Sequence, residues 1–361
     1  MSRVMVTGKI RVLVVDDSAY NRQAIVEMLE SDDEIEVVGL ASNGEEGIKE
    51  AARLRPDIIT LDLEMPRMDG FTFLRILMSR QATPVIVISS YSRKQNVFKA
   101  MELGALDFIA KPTRYLSPEV HKIKDELLEK IRLVRQLRTE GLKRVSGGSS
   151  SPLPAVEISS EVDAVEIAVL AIGASTGGPQ ALQRVLQRVP SNARACYLVA
   201  QHMPEGFTRA FAERLNRLCG LHVCEAEGEQ VLRAGQVLVA PGGNNLVVER
   251  RQEQLLAKIV EPAEDAKYVP SIDLLFSSLA RAMGHQCMAI LLTGMGSDGC
   301  QGMQAVKAAG GRTVAESEET AVVFGMPKEA IDSGSVDQIA HLDDIPSVIK
   351  LFLEKQGDGN D

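Results

Sequence analysis

The chain has no positive charge to spare: 40 Lys and Arg stand against 49 Asp and Glu, a formal net charge of -9 at pH 7. That balance argues against nucleic acid as the main partner, because phosphate binding needs a basic surface. No block of Lys and Arg forms a basic arm. No apolar run approaches the length of a membrane span, so insertion into a membrane is not expected. Residues 1–10 carry Arg3 and Lys9 but no apolar stretch, and no leader peptide is expected there. Cysteine is sparse: Cys196, Cys219, Cys224, Cys287 and Cys300 are odd in number and confined to the second half. That usage argues against a disulfide framework and fits a reducing, cytoplasmic compartment. Cys219 and Cys224 bracket His222, but no second ligand pair follows at zinc spacing, and buried thiols account for them.

What is present is an ordinary globular composition, 45% apolar and 25% charged over 361 residues, enough for two domains that each bury a core. The first half alternates short β-branched runs with helix-period stretches, which predicts a parallel sheet. Val12–Val15 runs into Asp16-Asp17, Ile58–Leu61 into Asp62, Val85–Ile88 into Ser89, and Asp107–Ala110 into Lys111. Residues directly after such strands meet at the carboxyl edge, where open α/β folds place their sites. Three acids gathered there repel one another by about 4 kcal/mol per pair at close range. A hard cation such as Mg²⁺, with the Lys111 ammonium, makes such a cluster tolerable, so the group reads as a phosphoacceptor. Taken alone, Asp16-Asp17 is as well explained by a strand-ending turn and a helix cap.

Helices are predicted at Ala19–Leu29, Glu45–Leu54 and Phe71–Arg80, and a long amphipathic one at Glu119–Arg138 with Ile123, Leu127, Ile131 and Val134 on one face. Gly141–Ser160 has the composition of a flexible connector, with a root-mean-square span of about 25 Å. Beyond it, strands are predicted at Ile167–Ile172, Cys196–Ala200, Gln236–Ala240 and Met288–Thr293, with helices between and a β-rich excursion over residues 242–268.

Gly173-Ala174-Ser175-Thr176-Gly177-Gly178 follows one of these strands and precedes the helix Gln180–Leu186. As a dinucleotide loop it fails, because Ser175 occupies the middle glycine position and would obstruct a pyrophosphate. As G-x-S-x-G it is a nucleophile turn, with a plain strand–helix turn as the alternative. His202, after the second strand, and Asp298, in Thr293–Gly299, fall at the same sheet edge. A Ser–His–Asp relay can assemble there whatever the chain order. His121, His222, His285 and His341 lack that setting. A non-catalytic output that binds an anion or a protein at the Gly173–Gly178 turn is the main rival. A DNA-binding output is disfavoured by the acidic balance.

Residues 10–130 resemble the response-regulator receiver domain through Asp16-Asp17, Asp62, Ser89 and Lys111-Pro112. The second half resembles the protein-glutamate methylesterase domain of bacterial chemotaxis through the turn at Ser175, Gln201–Phe207, Thr293–Gly299 and Val323–Pro327. The resemblance implies two doubly wound α/β domains: a flavodoxin-like receiver (10–130), a helix extension and linker (131–163), and a Rossmann-like methylesterase domain with some antiparallel strands (164–356). It implies that Asp62 takes a phosphoryl group from a chemotaxis histidine kinase. Mg²⁺ would be held by Asp17, Asp62 and the Glu64 backbone carbonyl, with Asp16 nearby or through water. Lys111, Ser89 and Phe108 would form the switch, and the Lys111-Pro112 peptide would be cis.

It further implies that Ser175, His202 and Asp298 hydrolyse glutamate methyl esters on methyl-accepting chemotaxis receptors and deamidate receptor glutamines. The Thr176 and Met295 N–H groups would serve as oxyanion donors, and no cofactor is needed for hydrolysis. The setting would be the cytoplasm, with recruitment to receptor arrays. The unphosphorylated receiver is expected to cover the relay. Val269 departs from the family, where arginine is common before Pro270-Ser271, and Ser271 reads as a helix cap.

Overall fold

The computed structural model describes residues 8–89, 94–111, 119–137, 167–191 and 194–357. Its contacts divide the chain into two units, Met1–Ser149 and Ser150–Asp361. The expected connector Gly141–Ser160 and the Lys111-Pro112 peptide lie outside the described residues.

In the first unit, β1 (Ile10–Val15), β2 (Ile35–Ala41), β3 (Ile58–Leu61), β4 (Val85–Ser89) and β5 (Asp107–Ala110) form one sheet in the order β2-β1-β3-β4-β5. All the pairings are parallel. Strands β3, β4 and β5 are buried along their whole length, as a sheet covered on both faces requires. Caps at the carboxyl edge start the helices: Ser18 accepts from the Asn21 N–H, Asn43 from Glu46 and Asp69 from Thr72. The last helix is shorter than its periodicity predicts. It runs Glu119–Arg132 and tightens into a 3-10 turn at Leu133–Gln136. Leu133, Val134 and Leu137 are all buried there.

The second unit contains β6 (Ala168–Ala174), β7 (Ala195–Gln201), β8 (His222–Glu225), β9 (Glu229–Val231), β10 (Gln236–Val239), β11 (Asn245–Arg251), β12 (Gln254–Val260), β13 (Cys287–Leu291), β14 (Arg312–Glu316) and β15 (Gln338–Ala340). Seven of them make a parallel sheet in the order β15-β14-β13-β6-β7-β10-β8. The excursion over 242–268 is the antiparallel pair β11–β12, extended by β9 into a three-stranded sheet. Its Leu246, Val248 and Ala257 share a core with Leu275, Phe276 and Leu279 of the helix Ile272–Met283.

Strand order sets the position of the site. β6 lies between β13 and β7, with Ile172 paired to both Ile290 and Val199. The loops leaving β6, β7 and β13 therefore emerge side by side at the carboxyl edge. β13 ends two residues before the predicted Thr293. The Thr293 N–H is taken by the Glu316 carboxylate at 2.8 Å, and its carbonyl accepts from the Ser175 N–H at 3.0 Å. With both groups committed elsewhere, Thr293 leaves the ladder.

Candidate active site

Ser175 is the first residue after β6, on a turn whose shape depends on glycine. Gly177 has φ +79° and caps the helix Gly178–Leu186, which carries Pro179 in its first turn. A Cβ on Gly178 would lie 2.0 Å from Gln201 Oε1 and 2.8 Å from the Ala174 Cβ. The turn is tied down on two sides. Gln201 Nε2 donates to the Ser175 carbonyl (2.9 Å) and to the His202 carbonyl (3.0 Å), and Thr293 Oγ1 donates to the Thr176 carbonyl (2.9 Å).

His202 follows β7, and its N–H donates to the Ala174 carbonyl at 3.0 Å. Its Nδ1 lies 3.2 Å from Ser175 Oγ, and its Nε2 lies 2.8 Å from Asp298 Oδ2. The three residues predicted from separate strand ends are thus brought together in one chain of contacts. Ser175 and His202 are half-buried, and Asp298 is buried.

Asp298 is ringed by donors, with the Asp273 carboxyl beside it. Oδ2 accepts from the Ile272 N–H (2.8 Å) as well as from His202; Oδ1 accepts from the N–H groups of Asp273 (2.9 Å) and Gly299 (3.1 Å) and from Ser271 Oγ (3.3 Å). Burial works to raise its pKa, but the hydrogen bond and charge of His202 and the Ile272 and Asp273 N–H groups outweigh it, and the carboxyl is held below its ordinary value. An ionised Asp298 accepts from Nε2–H, which leaves the Nδ1 lone pair facing the serine hydroxyl. Asp273 shifts the other way: burial and the neighbouring Asp298 charge raise it, and the Gly302 N–H offsets part of that rise.

Several members of the site gave little signal in the sequence. Ser271 caps the helix Ile272–Met283 by accepting from the Leu274 N–H, as expected, and its hydroxyl also reaches Asp298. Asn245 Oδ1 accepts from the Ser271 N–H at 2.7 Å. Tyr268 stacks on the His202 ring with centroids 4.9 Å apart and an interplanar angle of 0°. The segment Val323–Pro327 clamps the loop after β13: the Gly294 N–H donates to the Val323 carbonyl, and the Gly325 and Met326 N–H groups donate to the Gly294 carbonyl. Met295, on that loop, is half-buried, and Thr176, beside Ser175, is buried. Val269, half-buried, precedes a cis peptide to Pro270.

In the first unit the carboxyl edge gathers Asp16, Asp17 and Asp62, with one ligand oxygen from each lying within 4.8 Å of the others. Asp16 and Asp62 are buried and Asp17 is exposed. Lys111 Nζ sits 2.6 Å from Asp62 Oδ2 and 2.9 Å from Asp16 Oδ2. Burial raises the Asp62 pKa, Asp16 adds to the rise, and Lys111 offsets part of it. Three hard oxygen donors this close suit a small divalent cation. Glu64 reaches back, its N–H 3.4 Å from Asp62 Oδ1. Ser89, at the end of β4, is buried, and its carbonyl accepts from the Lys111 N–H at 2.7 Å. Phe108 is buried edge-on against Phe98, with ring centroids 6.4 Å apart. Lys130, which sequence reading did not single out, donates to the Phe108 carbonyl at 2.6 Å and pairs with Asp107 and Glu126.

Comparison with known proteins agrees in both halves. Residues 12–117 match the response regulator receiver domain, and residues 170–349 match the CheB methylesterase. The chain is 52% identical over 352 residues to protein-glutamate methylesterase/protein-glutamine glutaminase 3 of Geobacter sulfurreducens, covering 93% of this chain and 95% of that protein. It is 51% identical over 357 residues to protein 6 of the same description from Anaeromyxobacter dehalogenans, covering 98% of each. The crystal structure of the Thermotoga maritima CheB methylesterase catalytic domain covers 53% of this chain and 99% of its own, with 35% identity and a TM-score of 0.50. With such identity along nearly its entire length, the chain belongs to the family of receiver-coupled protein-glutamate methylesterases.

Proposed function

We infer that the protein is a phosphorylation-regulated serine esterase. It hydrolyses glutamate methyl esters on methyl-accepting chemotaxis receptors and deamidates receptor glutamines, in chemotactic adaptation. Ser175 Oγ attacks the ester carbonyl while His202 Nδ1 takes its proton. The tetrahedral intermediate collapses, and the imidazolium returns that proton to the departing methoxide, which leaves as methanol. Water then attacks the acyl-enzyme with the same base and frees the glutamate. For a glutamine side chain the leaving group is ammonia. Asp298 holds the imidazole in the tautomer this needs and balances the charge that forms on it. The N–H groups of Thr176 and Met295 serve as oxyanion donors, each worth about 10²–10³ in rate.

The observation that carries this reading is the continuous contact from Ser175 Oγ through His202 to a buried, donor-saturated Asp298. The 3.2 Å hydroxyl contact is at the long end of the range and is expected to tighten when substrate binds. Methanol release from methylated receptor tests it: Ser175→Ala abolishes release, and full activity in that variant would remove Ser175 from the reaction.

In the first unit, Asp62 accepts the phosphoryl group from a chemotaxis histidine kinase. Asp16, Asp17, Asp62 and the Glu64 carbonyl would hold Mg²⁺, which supplies charge neutralisation for phosphoryl transfer. Lys111 pairs with the phosphoryl oxygens, and Ser89 and Phe108 respond to them. Among the described residues, no helix is long and apolar enough to cross a membrane; a cytoplasmic site of action, with recruitment to receptor arrays, follows from the substrate and the phosphodonor. The receiver restrains hydrolysis until it is phosphorylated, and a tenfold change in activity needs only about 1.4 kcal/mol of coupling. A fragment of residues 155–361 no more active than the unphosphorylated whole chain would contradict this restraint.

A further inference from the structure

Tyr268 lies in the segment between β12 and the helix Ile272–Met283, outside the strand-end motifs that bring Ser175, His202 and Asp298 together. Its ring is parallel to the His202 ring, with centroids 4.9 Å apart. The Lys267 ammonium lies 4.8 Å from the same ring's centroid. The far end of the side chain meets the loop after β13: a Cβ built on Gly296 would fall 2.4 Å from Tyr268 Oη and 3.2 Å from Cζ. Gly296, at φ +87°, is therefore glycine for two reasons, its backbone conformation and the phenol lying over it. The hydroxyl makes no hydrogen bond among the described residues. One half-buried side chain thus spans the base and the loop that carries Met295 and Asp298.

We propose that Tyr268 is a positioning residue for hydrolysis, its ring covering one face of the His202 imidazole and its tip seating the Gly296 loop. The proposal rests on the hydrolytic reading of Ser175. A parallel aromatic neighbour restricts rotation of the imidazole, which otherwise relies on its two edge contacts. When the imidazole becomes a cation in the acyl-transfer step, the π-face of the phenol stabilises that cation, an interaction absent from the resting neutral ring. Such an effect appears in the transition state and so falls on kcat more than on KM. The acting part is the ring face, so phenylalanine should replace tyrosine.

The experiment uses the full-length protein, activated through its receiver, and measures methanol release from membranes carrying methyl-esterified chemoreceptor. Tyr268→Phe is expected to keep kcat within about twofold, and Tyr268→Leu to lower kcat about five- to tenfold with KM nearly unchanged. A spectroscopic readout stands apart from turnover. The carbon-bound protons of the His202 ring, assigned by comparison with His202→Gln, should be shifted upfield by the stacked ring in the parent and in Tyr268→Phe, and should lose that shift in Tyr268→Leu. Parental kcat in Tyr268→Leu, a loss confined to KM, equal losses in Phe and Leu, or a ring-proton shift indifferent to Tyr268→Leu would each overturn the proposal. Ser175→Ala in the same assay separates the two levels. If Ser175→Ala is inactive while Tyr268→Leu is unimpaired, only the role of Tyr268 falls; if Ser175→Ala is fully active, the hydrolytic reading falls and takes this role with it.

Discussion

Glu316, the last residue of β14, has no exposed surface, yet it holds the Thr293 N–H whose residue in turn accepts from Ser175. Its second oxygen, Oε1, has no hydrogen-bond partner among the described residues. Burial pushes this carboxyl from an ordinary 4.5 up to about 7; the Thr293 N–H, the nearby Thr320 hydroxyl and Arg184 offset only part of that rise. Between those two values the folded protein keeps a proton that the unfolded chain has already released. Stability therefore falls as pH rises through this window and levels off above about 7. At 1.36 kcal/mol per pH unit, the ionised form costs the fold about 3 kcal/mol. Glu316→Gln keeps the acceptor for Thr293 and removes the charge. Burying its amide N–H groups gives back about 1 kcal/mol. The variant should therefore be about 2 kcal/mol more stable than the parent at pH 8 and no more stable at pH 4.5. Urea unfolding followed by circular dichroism at several pH values, reading the transition of the second unit, gives the comparison. If parent and variant lose stability in parallel between pH 5 and 8, the buried acid is not the cause.

Other expectations follow from single contacts. Ser271→Ala removes a helix cap and one donor to Asp298; it should cost about 1 kcal/mol of stability, read from the urea midpoint, and lower kcat severalfold. Gly178→Ala puts a Cβ into the Gln201 side chain, and displacing that amide from the Ser175 and His202 carbonyls should cut methanol release at least about tenfold, by the sensitivity of positioned groups to small displacements. Asp62→Asn should take up no phosphoryl group from a small-molecule phosphodonor with Mg²⁺, measured by intact mass, and should lose activation while keeping basal hydrolysis.

Much of the fold and of the candidate site was legible because the chemistry follows directly on apolar runs. Asp62, Lys111, Ser175 and His202 each stand at or just past the end of a buried strand, so period and position together locate them. Asp298 needed the glycine-rich segment after β13 as an additional cue. Most of the elements that stayed hidden were short or half-exposed, although β14 is five residues long and buried past its first residue. β9 and β15 have three residues each, and β8 begins with an exposed His222, so neither alternation nor length marks them. Residues that act by tertiary contact were equally hidden. Tyr268, Gln201, Glu316 and Lys130 carry no local signal of what they touch; a stacked ring or a buried orphan oxygen exists only once the strands are ordered. Ser271 shows both sides: its cap was readable from the helix start, and its reach to Asp298 was not.

In the proposed relay Ser175 and His202 act as one unit, which kcat/KM for methanol release from methylated receptor tests in Ser175→Ala, His202→Ala and the double variant. Groups that act together lose their effect together, so each single change should cost about 10³-fold or more, and the double should be hardly worse than either. Losses that multiply, or a single variant that keeps the parent rate, would show two independent residues and no relay.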